Sequence, residues 1–126
     1  MERQELGRII NLTQHIGTPE QGCEELEENL RKEVLGLITF DEIPSNEEMC
    51  SRAERIAKIA SIHGADVAMI GGAPYFQRPL EEALLFVDIE PVYAFSKRES
   101  VDTVQPDGSV RKISVFKHIG FVRPYA

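Results

Sequence analysis

Three short apolar runs, each ending in a polar or glycine-rich cluster, constrain the fold of this chain most. Residues 8–12 lead into Thr13-Gln14-His15 and then Thr18-Pro19-Glu20-Gln21. Val67-Ala68-Met69-Ile70, inside a strand expected over 66–71, leads into Gly71-Gly72-Ala73-Pro74-Tyr75. Residues 91–95 lead into Ser96-Lys97-Arg98-Glu99-Ser100. Short runs that are apolar at consecutive positions fit strands buried on both faces. Helical patterns separate them, which implies parallel pairing through right-handed crossovers. In such a sheet the clusters fall along one edge, where open α/β sheets bind ligands.

The intervening segments carry start and stop signals. Thr18, Pro19 and Gln21 form a capping pattern that predicts a helix over 18–35. Its polar face would hold Glu24, Glu25, Glu27, Glu28, Arg31 and Lys32, with Leu26, Leu30 and Val34 inward. Ile38-Thr39-Phe40 reads as a connector or an edge strand. Ser45-Asn46-Glu47-Glu48 opens a second helix, which Gly64 stops. A third helix is expected over 75–87, with Pro79 tolerated near its first turn. Residues 101–105 and 110–116 flank Pro106-Asp107-Gly108-Ser109, a hairpin signal, and 119–122 extend or follow it. The order predicts a three-layer Rossmann-like α/β domain with a mainly parallel sheet and a C-terminal β-hairpin. A chain of 126 residues makes this a single domain over 1–126.

No apolar run approaches the roughly 20 residues that span a bilayer, so no membrane partner is expected. Met1-Glu2-Arg3-Gln4-Glu5 lacks the basic start and apolar core of a signal peptide, which points to the cytoplasm. Cys23 and Cys50 sit in helical patterns without metal-ligand spacing and read as reduced thiols. His-x-x-x-His, His-Glu-x-x-His and Cys-x-x-Cys are all missing, so neither a metal nor a cofactor is expected.

The formal charge of −7 argues against tight binding to long nucleic acid. That charge is uneven. Residues 1–50 hold four Lys/Arg against twelve Asp/Glu, a balance of −8. Residues 95–126 hold six Lys/Arg against three Asp/Glu, a balance of +3. A solvated acidic helix beside a mixed-charge hairpin accounts for this; so does a local cationic site for a small anion.

Three groups of residues have the chemistry for such a site. Gly71, Gly72, Ala73 and Pro74 would let backbone approach a ligand and present helix N–H groups to an anion, although a tight strand-to-helix turn needs glycine anyway. His15, with Asn11, Thr13 and Gln14 beside it, suits proton transfer near neutral pH, or equally braces its own loop. Ser96, Lys97 and Arg98 offer a phosphate point charge and paired hydrogen bonds, or simply a solvated turn. The expectation is that His15, Lys97 and Arg98 converge with Gly71-Gly72 at one strand edge. His118 reads as a surface or cross-strand residue and His63 as a helix-end cation.

The words NLTQHIGTPEQ, MIGGAPYF, YAFSKRESV and VFKHIGFV resemble a small bacterial and prophage-borne family of uncharacterised proteins. More distantly, the order of elements is similar to the Rossmann-like sensor domains and small ring nucleases of CRISPR antiviral defence. That resemblance implies a homodimer binding a cyclic oligonucleotide, such as cyclic oligoadenylate, at the strand ends. It also implies a metal-independent phosphodiesterase (a hydrolase acting through the substrate's own 2′-hydroxyl). His15, Lys97 and Arg98 would be catalytic, while Asn11, Thr13, Gln14, Gly71, Gly72, Ala73, Pro74 and Ser96 would bind the ligand. A non-catalytic nucleotide-binding or regulatory protein using the same pocket is the alternative, and an unrelated small-molecule enzyme a third. The hairpin over 100–118, with Val110, Ile113 and Val115, is the expected dimer contact.

Overall fold

The computed structural model describes residues 5–126, so all but Glu5 of the N-terminal run read for a leader, 1–5, lies outside the described residues. Its elements are β1 (Ile9–Asn11), a 3-10 turn (Pro19–Gln21), α1 (Glu28–Ile38), α2 (Asn46–His63), β2 (Val67–Met69), α3 (Pro74–Phe86), β3 (Glu90–Val104) and β4 (Val110–Val122). The sheet runs in the order β1-β2-β3-β4. The first three strands are parallel, in the register Ile9 to Val67 and Val67 to Glu90, and β3 and β4 are antiparallel. This is the α/β architecture with a mainly parallel sheet and a C-terminal hairpin.

Consecutive strands stepping one way across a sheet through right-handed crossovers place their helices on one face. Ile10, Ala68 and Ile70 accordingly share a core with Val34 of α1, Ile56 of α2, and Phe76, Leu80 and Leu84 of α3. Phe76 is the largest side chain in this core, and Phe40 meets it edge-on at 5.2 Å between ring centroids. On the opposite face Ile9, Val67, Met69 and Val92 are covered by Leu6, Cys23 and Phe121. The second covering layer is therefore made of chain segments rather than a helix.

Two expected elements differ. The helix over 18–35 is broken. Gly22 adopts a left-handed φ of 64° and closes the 3-10 turn after Gln21. Cys23, read as helical, lies in the extended stretch that follows, where Glu24 pairs in parallel with Ile10 on the outer edge of β1. Glu27 then starts α1 by accepting from Leu30 N at 2.7 Å. The missed signal is Gly22-Cys23: a glycine immediately after a capping pattern ends the turn it begins. Strand three does not stop at Phe95 either; it continues to Val104 as a ribbon with β4, with a bulge between Phe95 and Ser96. The polar cluster 96–100 is thus strand. Its residues alternate across a two-stranded ribbon, whose faces solvent can occupy, so polarity there does not mark a loop. The hairpin turn, the Ser45 cap (accepting from Glu48 N at 3.0 Å) and the Gly64 stop are as expected.

The C-terminal residues are tied to the body. Glu81 of α3 accepts from the hydroxyls of Tyr93 and, at 2.7 Å, Tyr125. Burial and the Glu81 carboxylate together push the Tyr93 hydroxyl well above the usual phenol range. Arg123 makes a bidentate pair with Glu90 at 2.7 and 2.8 Å.

At the other sheet edge Glu24 joins Arg8 (3.0 Å, two contacts) and His63 (3.3 Å). Those hydrogen bonds, Arg8's first, lower the Glu24 carboxyl to about 2. A carboxyl held below its unfolded value stabilises the fold above roughly pH 4.5 and loses that contribution as pH falls toward 2. Thermal melts should show Glu24→Gln melting below wild type at pH 7, with the two curves converging between pH 4 and 2 (the ordinary carboxyl range down to the lowered value). A gap that is constant with pH would contradict this linkage.

Candidate functional site

β1 ends at Asn11, whose side chain is buried at 4% exposure. Its Nδ2 donates to the His15 carbonyl at 2.6 Å and to both Glu25 carboxylate oxygens at 3.0 and 3.1 Å. Its Oδ1 accepts from Thr13 N at 2.9 Å and lies 2.7 Å from Thr13 Oγ1. Glu25 also accepts from Gly17 N at 3.1 Å, and Arg31 lies 3.8 Å from it. One amide and one carboxylate thus shape the turn from Thr13 to Gly17. Cys23 Sγ sits 3.9 Å from Glu25 Oε2; burial, then the Glu25 charge, pushes its thiol up, away from reactivity.

β2 ends in Ile70-Gly71-Gly72. Gly72 has a φ of 114°, a conformation L side chains rarely adopt, and α3 begins two residues later. Among the described residues no side chain caps α3 at Ala73; Pro74 at its first position has no N–H, and the Phe76 N–H donates to the Ala73 carbonyl at 3.1 Å. The turns after β1 and β2 face each other across a cavity of about 330 Å³, lined by Thr13, Gln14, His15, Thr18, Gln21, Gly71 and Gly72, with Ile16, Met69, Ile70 and Ala94 completing it. Strand ends distant in sequence therefore meet at one sheet edge. The His15 imidazole is exposed, with Nε2 3.4 Å from Gln14 Nε2.

The expected residues divide. Thr13, Gln14, His15, Gly71 and Gly72 line the one cavity. Asn11 lies beneath it, its polar atoms engaged by the loop and Glu25. Ala73 and Pro74 open α3 without lining the cavity. Ser96, Lys97 and Arg98 are not on its wall. Because β3 continues past Phe95, they stand on the ribbon: Ser96 opposite His118, Lys97 opposite Lys117, and Arg98 opposite Phe116. The Arg98 guanidinium lies 5.2 Å from the Phe116 ring centroid. The expected convergence of Lys97 and Arg98 with Gly71-Gly72 is not what the fold builds.

A second cleft of about 410 Å³ adjoins the first and shares Thr18 and Gln21 with it. Ser96, Glu99, Val115, Phe116, Lys117 and His118 form its ribbon side. His118 Nδ1 is buried there with no hydrogen-bond partner among the described residues. A larger recess of about 660 Å³ lies between α2 and α3, lined among others by Ile62, Ala83 and Phe86. Glu54, Lys58, Ser61 and Glu82 line it as well, but it lies between helices rather than at the strand ends, where open α/β sheets bind ligands, so the strand-end cavity is the stronger candidate. Glu25 was missed as a site residue because the helix expected over 18–35 placed it on a solvated face, and Thr18 and Gln21 because they read as that helix's capping pattern. Among the described residues no group of three His, Cys, Asp or Glu side chains could hold a metal, and no helix is long and apolar enough to cross a membrane.

Deleting the Asn11 amide leaves the His15 carbonyl, Thr13 N and Glu25 without it. Asn11→Ala should therefore cost about 1–3 kcal/mol in urea denaturation, the range for unsatisfied buried polar groups. Asn11→Asp should cost more, because it faces one carboxylate with another. Amide exchange at 13–17 should accelerate in both; unchanged exchange would mean the turn holds its shape without Asn11.

The chain belongs to the Uncharacterized protein MJ1673 family, whose family model matches residues 7–122. No curated protein and no solved structure matches it.

Proposed function

We propose that this protein binds a small nucleotide-like anion in the crevice between the Thr13–Gly17 turn and Gly71-Gly72, and acts as a binding or regulatory protein. The observation that carries this reading is the meeting of two strand-end turns around a cavity of about 330 Å³, at the lower end of the ligand-pocket range and large enough for one nucleotide unit. The side-chain-free Gly71-Gly72 backbone on the cavity wall lets a phosphate approach closely. Thr13, Gln14 and Gln21 suit a base or sugar edge. The distant similarity to cyclic-oligoadenylate sensors makes a cyclic oligonucleotide the ligand to test first.

One observation favours a catalytic version. His15, an exposed residue, lines the cavity, and its imidazole Nε2 lies 3.4 Å from the Gln14 amide. In a metal-independent phosphodiesterase it would remove the proton from a ligand 2′-hydroxyl, which attacks its own phosphate, and the 5′-oxygen leaves. No orienting carboxylate contacts the imidazole among the described residues, which favours binding over turnover.

Labelled cyclic oligoadenylates, incubated with the protein and EDTA, separate the two readings. Binding should raise the melting temperature, by about 2.7 kcal/mol of stability at a hundred-fold excess over Kd. Gly71→Ala should abolish the rise without loss of fold, because its added methyl would meet only Thr13 Cγ2, at 3.8 Å, on the cavity wall. Linear product that falls about 10²–10⁴-fold in His15→Ala, with binding retained, would establish the catalytic version. No binding by mono-, di- or cyclic nucleotides would remove both.

A further inference from the structure

Beyond Phe95 no third strand pairs with the β3–β4 ribbon among the described residues, and a two-stranded hairpin is marginally stable in water on its own. Directly opposed residues share a face. One face carries Lys97/Lys117, Glu99/Val115, Val101/Ile113 and Thr103/Arg111. Val101, Ile113 and Val115 form an apolar, partly exposed strip along it, with Glu99 beside Val115; the end of the face nearer the body, at Glu99, Val115 and Lys117, also lines the cleft against the 3-10 turn. Lys97 and Lys117 oppose one another directly, an arrangement that destabilises a ribbon left alone. Lys97, Lys117 and Arg111 make no ion pair among the described residues. The face calls for a counter-surface that is apolar in the middle and acidic at the rim.

The body has such a surface. A recess of about 590 Å³ at the connection between α1 and α2 is lined by Phe40, Ile43, Pro44, Met49 and Tyr75, with Asp41 and Glu42 at its margin. Ile43 is 99% exposed, and neither Asp41 nor Glu42 makes an ion pair among the described residues. No ribbon residue lines this recess; the ribbon's own body contact is with the 3-10 turn.

We propose that the ribbon is a dimerisation arm. Its Val101–Ile113–Val115 face seats in the Phe40–Ile43–Tyr75 recess of a second copy, with Lys97 and Lys117 against Asp41 and Glu42. A two-fold axis makes the contact twice and covers both unmatched surfaces of each chain. Each arm then needs to bury only half of the roughly 1,200–2,000 Å² of a stable interface. An apolar centre with a charge-complementary rim is ordinary interface anatomy. Pairing of two β4 edges is disfavoured instead, since it would set Arg111, Lys112 and Lys117 of one copy against those of the other. The proposal does not depend on the ligand reading.

Light scattering of the full chain at micromolar concentration tests it. Two chains of 14.2 kDa should give about 28 kDa at low salt, falling toward 14.2 kDa as salt screens the rim. Ile43→Glu should be monomeric with an unchanged circular dichroism spectrum. Lys97→Glu/Lys117→Glu should be monomeric too. Adding Asp41→Lys/Glu42→Lys to Lys97→Glu/Lys117→Glu in the same chain should restore the dimer, because both contacts then regain opposite charges. A wild-type monomer, including one that gains mass only when oligonucleotide is added, would overturn the proposal. So would a dimer that both variants leave intact.

Discussion

Asn11 is a polar side chain buried at the end of β1, and the candidate crevice depends on how it is satisfied. An uncompensated buried amide would cost a few kcal/mol. The structure offsets that cost by turning the chain back over it: the Thr13 N–H, the His15 carbonyl and the Glu25 carboxylate all converge on one side chain. Glu25 reaches that position because Gly22 breaks the helix start and Cys23–Glu25 run extended along β1. The cavity wall is thus a by-product of solving a burial problem. The opposite wall arises from a different constraint, the tight passage from β2 into α3, which Gly72 makes possible.

Those two origins explain why some of the site was legible in the sequence. Residues 67–70 are apolar at every position, so a doubly buried strand, and hence a turn at Gly71-Gly72, follows from composition and length alone. His15 and Gly71 share an edge because parallel strands end together, a rule of topology rather than of any motif. Glu25 was illegible. Its neighbours Glu24, Glu27 and Glu28 make it look like one acid of a solvated helix face, and only the three-dimensional path after Gly22 singles it out. Lys97 and Arg98 were misplaced for a related reason. Polar residues continuing a strand as a ribbon look like polar residues ending it when only a single sequence is in view. The helices α2 and α3 were legible from caps and spacing, since Ser45, Gly64 and the 76/80/84 stripe all act locally.

The division of charge follows from the same architecture. β3 passes through the core only over its first few residues and then leaves the body, carrying the basic part of the chain with it. The crevice consequently has His15 and backbone N–H groups as its means of attracting an anion, while the lysines and arginines stand apart on the ribbon. A ligand held this way is recognised by shape and hydrogen bonding more than by net charge, which suits a nucleotide better than a bare ion. It also leaves the ribbon free for a different task, where its unpaired cations and exposed valines answer the acidic, apolar recess of the body.

The central claim is that the strand-end crevice, and not the apolar recesses on the helical face, is where this protein meets its ligand. Amide chemical-shift mapping of the labelled protein, titrated with cyclic oligoadenylate, tests that most directly. The account predicts shifts concentrated at Thr13, His15, Gly71 and Gly72, spreading to Gln21. Shifts confined to Ile62, Ala83 and Phe86, in the groove between α2 and α3, would contradict it.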